Sequence, residues 1–327
     1  MRIRSLVGVL IVLLLGSCSK PDTVKTYLEG AVFGTSYHIT YFSKQNFQKQ
    51  FDSLFYVINK SLSTYQTNSD ISKLNRNEAT VIDMYFVEVF DASKAIYKAT
   101  EGFFDPTIGA VVNAWDFGPE GKIEQLDSLK IDSLMLSVGL DKVKRIDYSI
   151  EKLPGTFLDF NAIAKGYGVD VIGQFLESRR VTDYIVEIGG EIRASGMNIE
   201  KQLPWKVGVE MPNFNGEQSI LKAISLKDES MATSGTYRKF KTDANGNRYA
   251  HIIDPKTGYP SKTNLLSVSV IAKDCMTADA YATAFKAMGI EKVKFFLKLH
   301  PELKAFLIYE NDKSAFETLA LNDFPEN

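Results

Sequence analysis

Strand-forming and helix-forming runs follow no regular alternation along this chain, and that order is the tightest constraint on its fold. Residues 31–42 alternate apolar and polar positions (Val32, Tyr37, Ile39, Tyr41) as a half-buried strand does. Residues 46–62 place Phe47, Phe51, Leu54, Phe55, Ile58 and Leu62 at helical spacing, and a second helix is expected from Ile82 to Ala99, with Gly102 as its stop. Residues 119–155 are more polar and read as a connecting region with one helix near Ile131–Val138. A strand at 156–160 is expected to run into a helix that starts near Ala162. Further strands are expected at 183–188, 191–195, 205–210 and 219–226, and Asn245-Gly246 between two strand-like runs signals a type I′ hairpin. Leu265–Ala272 is a continuous β-rich run, 276–288 and 291–299 read as helices, and 303–309 is a late strand placed to pair with 314–319. Hairpins mixed with helices predict an α+β fold with mixed or antiparallel sheets and flanking helices, not a doubly wound parallel sheet. No internal repeat, low-complexity tract or clear linker interrupts it.

The N-terminus reads as an export signal. Arg2 and Arg4 precede a ten-residue apolar run, Leu6 to Leu15, which is short for a membrane span. It ends in Leu15-Gly16-Ser17-Cys18, small residues before a Cys, the pattern of a lipoprotein signal with Cys18 as the lipidated first residue. The expected organisation is a signal peptide at 1–17, a tether at 18–26 and a single domain at 27–327, lipid-anchored in the bacterial periplasm to the inner or outer membrane. About 310 residues then remain, enough for one large core or two intimately joined subdomains. The formal net charge of −2 offers no basic excess for nucleic acid. Cys275 is the only other cysteine, so packing, not an intramolecular disulfide, must hold the fold.

Familiar nucleotide and zinc motifs are missing. There is no P-loop, Gly166-Tyr167-Gly168 lacks the third glycine of a Rossmann turn, and His38, His251 and His300 are scattered. Asp279 and Thr283, four apart, share one helix face; the pair suits an oxygen-seeking ion such as Mg²⁺ or Ca²⁺, or simply close helix packing. Asp159 or Asn161 is placed to cap a helix whose first turn carries Lys165, an arrangement that attracts an anion or merely ends in solvent. Ile188-Gly189-Gly190 lets the backbone approach a ligand or another strand, and Thr233 to Arg238 gathers hydroxyls and an Arg. Aromatic loops at Gly102 to Thr107 and Asn113 to Gly118 either stack on a flat ring or anchor themselves in the core. His251, ahead of the Pro- and Gly-rich turn 252–260, is a candidate general base, since an imidazole titrates near neutral pH.

Taken in order, these segments resemble the FAD:protein FMN transferases of the ApbE family. The resemblance rests on Gly34 to Tyr37, Leu62 to Tyr65, Phe104 to Gly109, Trp115 to Gly118, Asp159 to Gly166, Ile188 to Gly190, Ala232 to Gly235, His251 to Pro260, and Ala278-Asp279 with Thr283. It implies a T-fold-like, two-subdomain architecture and a Mg²⁺-dependent reaction with FAD as substrate. In that reaction a Thr hydroxyl of an acceptor protein takes the FMN moiety through a phosphoester bond and AMP leaves. Redox-pump subunits or other exported flavoproteins are the acceptors it suggests. By the same resemblance, Asp279, Thr283 and the carbonyl of Ala162 hold the metal; Phe33, Tyr65, Phe103, Phe104, Asp105, Asp159, Lys165 and Ile253 contact FAD; and His251 helps to deprotonate the acceptor Thr. Phe33 stands where the family often has Met, and Thr236 follows Ser-Gly where an acidic or amide residue is common. An FAD pyrophosphatase and a non-catalytic FAD-binding lipoprotein are the alternatives the sequence leaves open.

Overall fold

The computed structural model describes residues 24–213, 217, 219–236, 240–242 and 248–326. The signal peptide, Cys18, most of the expected tether, Tyr237, Arg238 and the Asn245-Gly246 turn lie outside the described residues. An eight-stranded sheet organises the molecule: β1 (Lys25–Val32), β2 (Thr35–Phe42), β5 (Tyr184–Ile188), β6 (Glu191–Ser195), β9 (Glu229–Gly235), β12 (Leu265–Ala272), β13 (Lys304–Glu310) and β14 (Phe316–Leu321), in that spatial order. Every neighbouring pair is antiparallel, as hairpin-rich connectivity requires. Three two-stranded pairs complete the strands: β3 (Lys144–Ile146) with β4 (Ser149–Glu151), β7 (Trp205–Glu210) with β8 (Ile220–Leu226), and β10 (Phe240–Thr242) with β11 (Arg248–Ala250).

Period-two alternation distributes the strand side chains between the two faces of the sheet. Val268, Val270, Ala305 and Leu307 face a helical layer of α3 (Met84–Ala99), α7 (Cys275–Met288) and α8 (Ile290–Leu299). Ile39, Tyr41, Val186 and Ile188 meet α1 (Gln48–Leu62) and α6 (Ala164–Ser178). On the opposite face Ile192, Ile271, Phe306 and Ile308 pack under Trp205, Val207 and Ile224 of the β7–β8 pair. With both faces covered, all eight residues of β12 are buried, which explains its unbroken apolar run. No helix among the described residues is long and apolar enough to cross a membrane.

Several expectations need correction. The single strand expected at 31–42 is a hairpin, because Phe33 (φ +49°) and Gly34 (φ +75°) both take left-handed backbone and turn the chain. β1 starts at Lys25, two residues inside the expected tether. Residues 156–160 form no strand beyond one bridge from Phe157 to Ile108. Their backbone is satisfied otherwise: Asn75 donates to the Leu158 carbonyl and accepts from its N–H, both at 2.8 Å, while Asp159 N–H donates to the Pro106 carbonyl at 2.7 Å. In the connecting region the helix is α5 (Ser128–Met135), capped by Asp127, and β3–β4 follows it. Short helices α2 (Asp70–Asn75) and α4 (Gly109–Ala114) and strand β9 carry too little periodic signal to be read from sequence.

Candidate functional site

Two helix N-termini meet beneath the sheet, and each donates N–H groups to a carboxylate of the other helix, which for α7 adds to its local cap, Asp274. α6 has no side-chain cap of its own. Neither Asp159 nor Asn161 serves: Asp159 Oδ1 instead accepts from Asn161 N–H at 2.8 Å in a local turn, and the helix starts only at Ala164. The third N–H of α6, on Gly166, donates to Asp279 Oδ2 of α7 at 3.1 Å. In return Asp170 of α6 accepts from the first two N–H groups of α7, Cys275 (3.0 Å) and Met276 (2.8 Å). Gly166 makes this approach feasible, since a Cβ there would stand 2.3 Å from the Cys275 carbonyl oxygen. The Gly166-Tyr167-Gly168 run thus serves close packing: Gly168 faces Phe33, whose ring would lie 2.7 Å from an added Cβ.

Lys165, beside this junction, pairs with Glu191 of β6 at 2.5 Å. Glu191 is 2% exposed and Asp279 4%. Burial pushes both carboxyls above the ordinary range, and the Lys165 ammonium opposes that rise in each. Burial works against the Lys165 charge in turn, but Glu191 and Asp279 outweigh it and hold the ammonium's pKa above the lysine norm. One oxygen of Glu191, Oε2, is buried with no hydrogen-bond partner among the described residues. Thr283, one turn along α7 from Asp279, shares a 2.9 Å hydrogen bond with Ser234 of β9. The Gly189-Gly190 pair forms the β5–β6 turn, and its close approach is to Thr35 of β2 rather than to a ligand.

A second group surrounds Asp159. Tyr65, exposed over much of its surface, has its hydroxyl pKa raised by partial burial and then by the charge of Asp159. It lines a cavity of about 180 Å³ with Thr64, Asn75, Arg76, Glu120 and Phe157, among others. Asp105 is buried and pushed up to about 6 by desolvation, against hydrogen bonds from Thr107 N–H (2.9 Å) and its hydroxyl (2.6 Å). Phe104 beside it is 3% exposed and belongs to the core, so its ring is not a stacking platform. Phe103 is half-buried, with the ammoniums of Lys256 and Lys292 at 5.6 and 4.2 Å from its ring centre.

The third group is the 251–260 turn. Gly258 (φ +75°) and Thr257 direct their N–H groups to the Asp254 carbonyl, and Trp115 Nε1 donates to the Gly258 carbonyl at 2.9 Å. Ile253 is buried with Val111, Phe117 and Val138, so its side chain serves packing. His251 meets the Phe117 ring edge-on at 6.2 Å. Residues 105–117 therefore join the groups, touching Asp159 through Pro106 and His251 through Phe117, while residues 160–163 lead from Asp159 into the Lys165–Asp279 junction. Through its bond to Gly258, Trp115 ties its loop to the 251–260 turn. Sequence reasoning missed Asp170 and Glu191. Register is the signal that finds Glu191, which lies across from Ile188, a core residue, and so must point inward.

The ApbE family model matches residues 33–307. This chain belongs to the ApbE family. It is 37% identical over 308 residues to the FAD:protein FMN transferase of Haemophilus influenzae, spanning 89% of this chain and 88% of that one. With the Escherichia coli K12 protein of the same name it shares 28% identity, over 91% of this chain and 95% of the relative. The flavin transferase ApbE of Vibrio cholerae superposes with a TM-score of 0.82 at 31% identity, covering 92% of this chain and 98% of the neighbour. The apo flavinyl transferase ApbE of Pseudomonas stutzeri gives 0.81 at 28% identity, over 91% and 95%. The α+β class with an antiparallel main sheet is therefore the ApbE fold.

Proposed function

We propose that this chain transfers the FMN moiety of FAD to a Thr hydroxyl of an acceptor protein. The hydroxyl oxygen bonds the phosphorus on the FMN side of the diphosphate, the bridging P–O bond breaks and AMP leaves. The hydroxyl proton passes to His251. The carrying observation is the buried junction of Lys165, Glu191 and Asp279, set among ApbE motifs in a chain whose relatives bear the name FAD:protein FMN transferase across nearly their whole length. Lys165 supplies positive charge where a diphosphate must be neutralised, and Tyr65 and Phe103 offer partly exposed rings to the flavin or adenine.

The oxygen donors fit Mg²⁺. Among the described residues no three His, Cys, Asp or Glu side chains cluster around a metal position, but Mg²⁺ needs few protein ligands and fills the rest with water and phosphate. Gly166 N–H engages Oδ2 of Asp279, and that carboxylate makes no other hydrogen bond among the described residues. Asp279, the Thr283 hydroxyl and the Ala162 carbonyl would hold the ion, which when bound would neutralise charge developing on the leaving phosphate. The lipid anchor on Cys18, the periplasmic location and acceptors among redox-pump subunits or other exported flavoproteins are proposed from the N-terminal sequence and the family. Incubating the protein with FAD, Mg²⁺ and a candidate acceptor, then measuring the acceptor's intact mass, tests the reading. A gain of one FMN with AMP release is expected; free FMN with an unmodified acceptor would point to the pyrophosphatase instead.

A further inference from the structure

We propose that Glu191 is a positioning residue that draws the Lys165 ammonium away from Asp279 and so keeps the Asp279 carboxylate available to a divalent cation. This rests on Asp279 as a cation ligand, the reading given above. Lys165 is adjacent in sequence to Gly166, whose N–H is bonded to Asp279. Its ammonium interacts electrostatically with two buried carboxylates, Glu191 and Asp279. Among the described residues it forms its ion pair with Glu191, at 2.5 Å, and Asp279 keeps only the Gly166 N–H.

The arrangement is costly, which argues that it does something. Glu191 reaches 2% exposure on a strand position that register assigns to the core, opposite Ile188. Among the described residues its second oxygen has no donor, and an unsatisfied buried acceptor is destabilising. An apolar residue would suit β6 better if only packing mattered. Without Glu191, the remaining buried carboxylate within the influence of the Lys165 ammonium is Asp279. The ammonium would then turn to it and compete with the cation for the same oxygens.

Mn²⁺ shares the oxygen preference of Mg²⁺ and can be followed by loss of the free-ion electron paramagnetic resonance signal. In the purified protein, Glu191→Gln should weaken Mn²⁺ binding by roughly 10- to 100-fold, the range for residues that support a metal ligand. Lys165→Ala combined with Glu191→Ala should restore binding to within about threefold of wild type, a coupling that a packing role for Glu191 does not predict. Thermal melts confirm folding, and if Glu191→Gln does not fold, Glu191→Asp, which retracts the carboxylate by one methylene, carries the same comparison. Unchanged Mn²⁺ binding in Glu191→Gln, a double variant as weak as the single, or no binding by the wild-type protein would each overturn the proposal. The readout is independent of FMN transfer, so failure here and failure of the transferase reading are distinguishable.

Discussion

Asp279 accepts the Gly166 N–H through Oδ2 and, in the proposed reaction, ligates a cation; substitution can separate the two roles. Asn retains an acceptor for Gly166 but loses the charge. Asp279→Asn should therefore melt within about 2 °C of wild type, yet lose AMP release by roughly 10²-fold or more, as removal of several kcal/mol of charge stabilisation implies. Asp279→Ala should lose activity and also about 1 kcal/mol of stability, the usual value of a missing helix cap. Normal AMP release in either variant would remove Asp279 from the metal set. Asp105 makes a pH prediction. Its folded pKa, about 6, lies above the ordinary 3.8, so between those values the native protein holds a proton that the unfolded chain has released. Stability from this group is fully present below about pH 4, falls as pH rises to about 6 and is level above that. At about 1.4 kcal/mol per unit the loss at pH 7 is at most about 3 kcal/mol. Asp105→Asn still accepts from Thr107 and should raise the melting temperature at pH 7. It should also reduce the decline between pH 4 and 6; part of the slope persists because Asp170 is likewise pushed up to about 6 by burial. A lower melting temperature at pH 7 would refute this.

At the scale of elements, the α6–α7 contact decides the site. The sequence marks both helices through their small and apolar residues; Lys165 is legible as a candidate from its place in a first helical turn, and Asp279 from Thr283 four residues on along the same face. What it does not mark is that the start of α6 bonds Asp279 and that the start of α7, beyond its local cap Asp274, bonds Asp170, since these partners are far apart in the chain. The expected local cap at Asp159 or Asn161 is the ordinary solution, and the tertiary contact displaces it. Gly166→Ala tests the contact. In an isolated helix Ala would gain about 1 kcal/mol over Gly. Here the added Cβ would meet the Cys275 backbone at 2.3 Å, which cannot yield as a flexible side chain would. A net loss of about 1–2 kcal/mol is expected, from the range for overpacked contacts, read by urea or thermal unfolding. Stabilisation by this substitution would mean that the helices have room to spare.

For the whole molecule, Cys275 reports integrity. It is the free cysteine among the described residues, fully buried at the start of α7, and burial raises its thiol pKa well above the usual value. A thiol reagent should label Cys275 only as the protein unfolds, with a denaturant midpoint matching that of far-UV circular dichroism; rapid labelling of the native protein would contradict the packing. By itself the sequence determined the α+β class, most long helices and strands, and the motifs that identify the family, because helical and strand periodicity and turn chemistry are written in neighbouring residues. Only the tertiary structure decided that Phe104 and Ile253 bury their side chains as core, that residues 156–160 bond a side chain instead of a strand, and that Glu191 shares Lys165 with Asp279. Those outcomes depend on desolvation and on polar groups brought together from distant parts of the chain, 113 residues apart for Gly166 and Asp279, and no local pattern records either quantity.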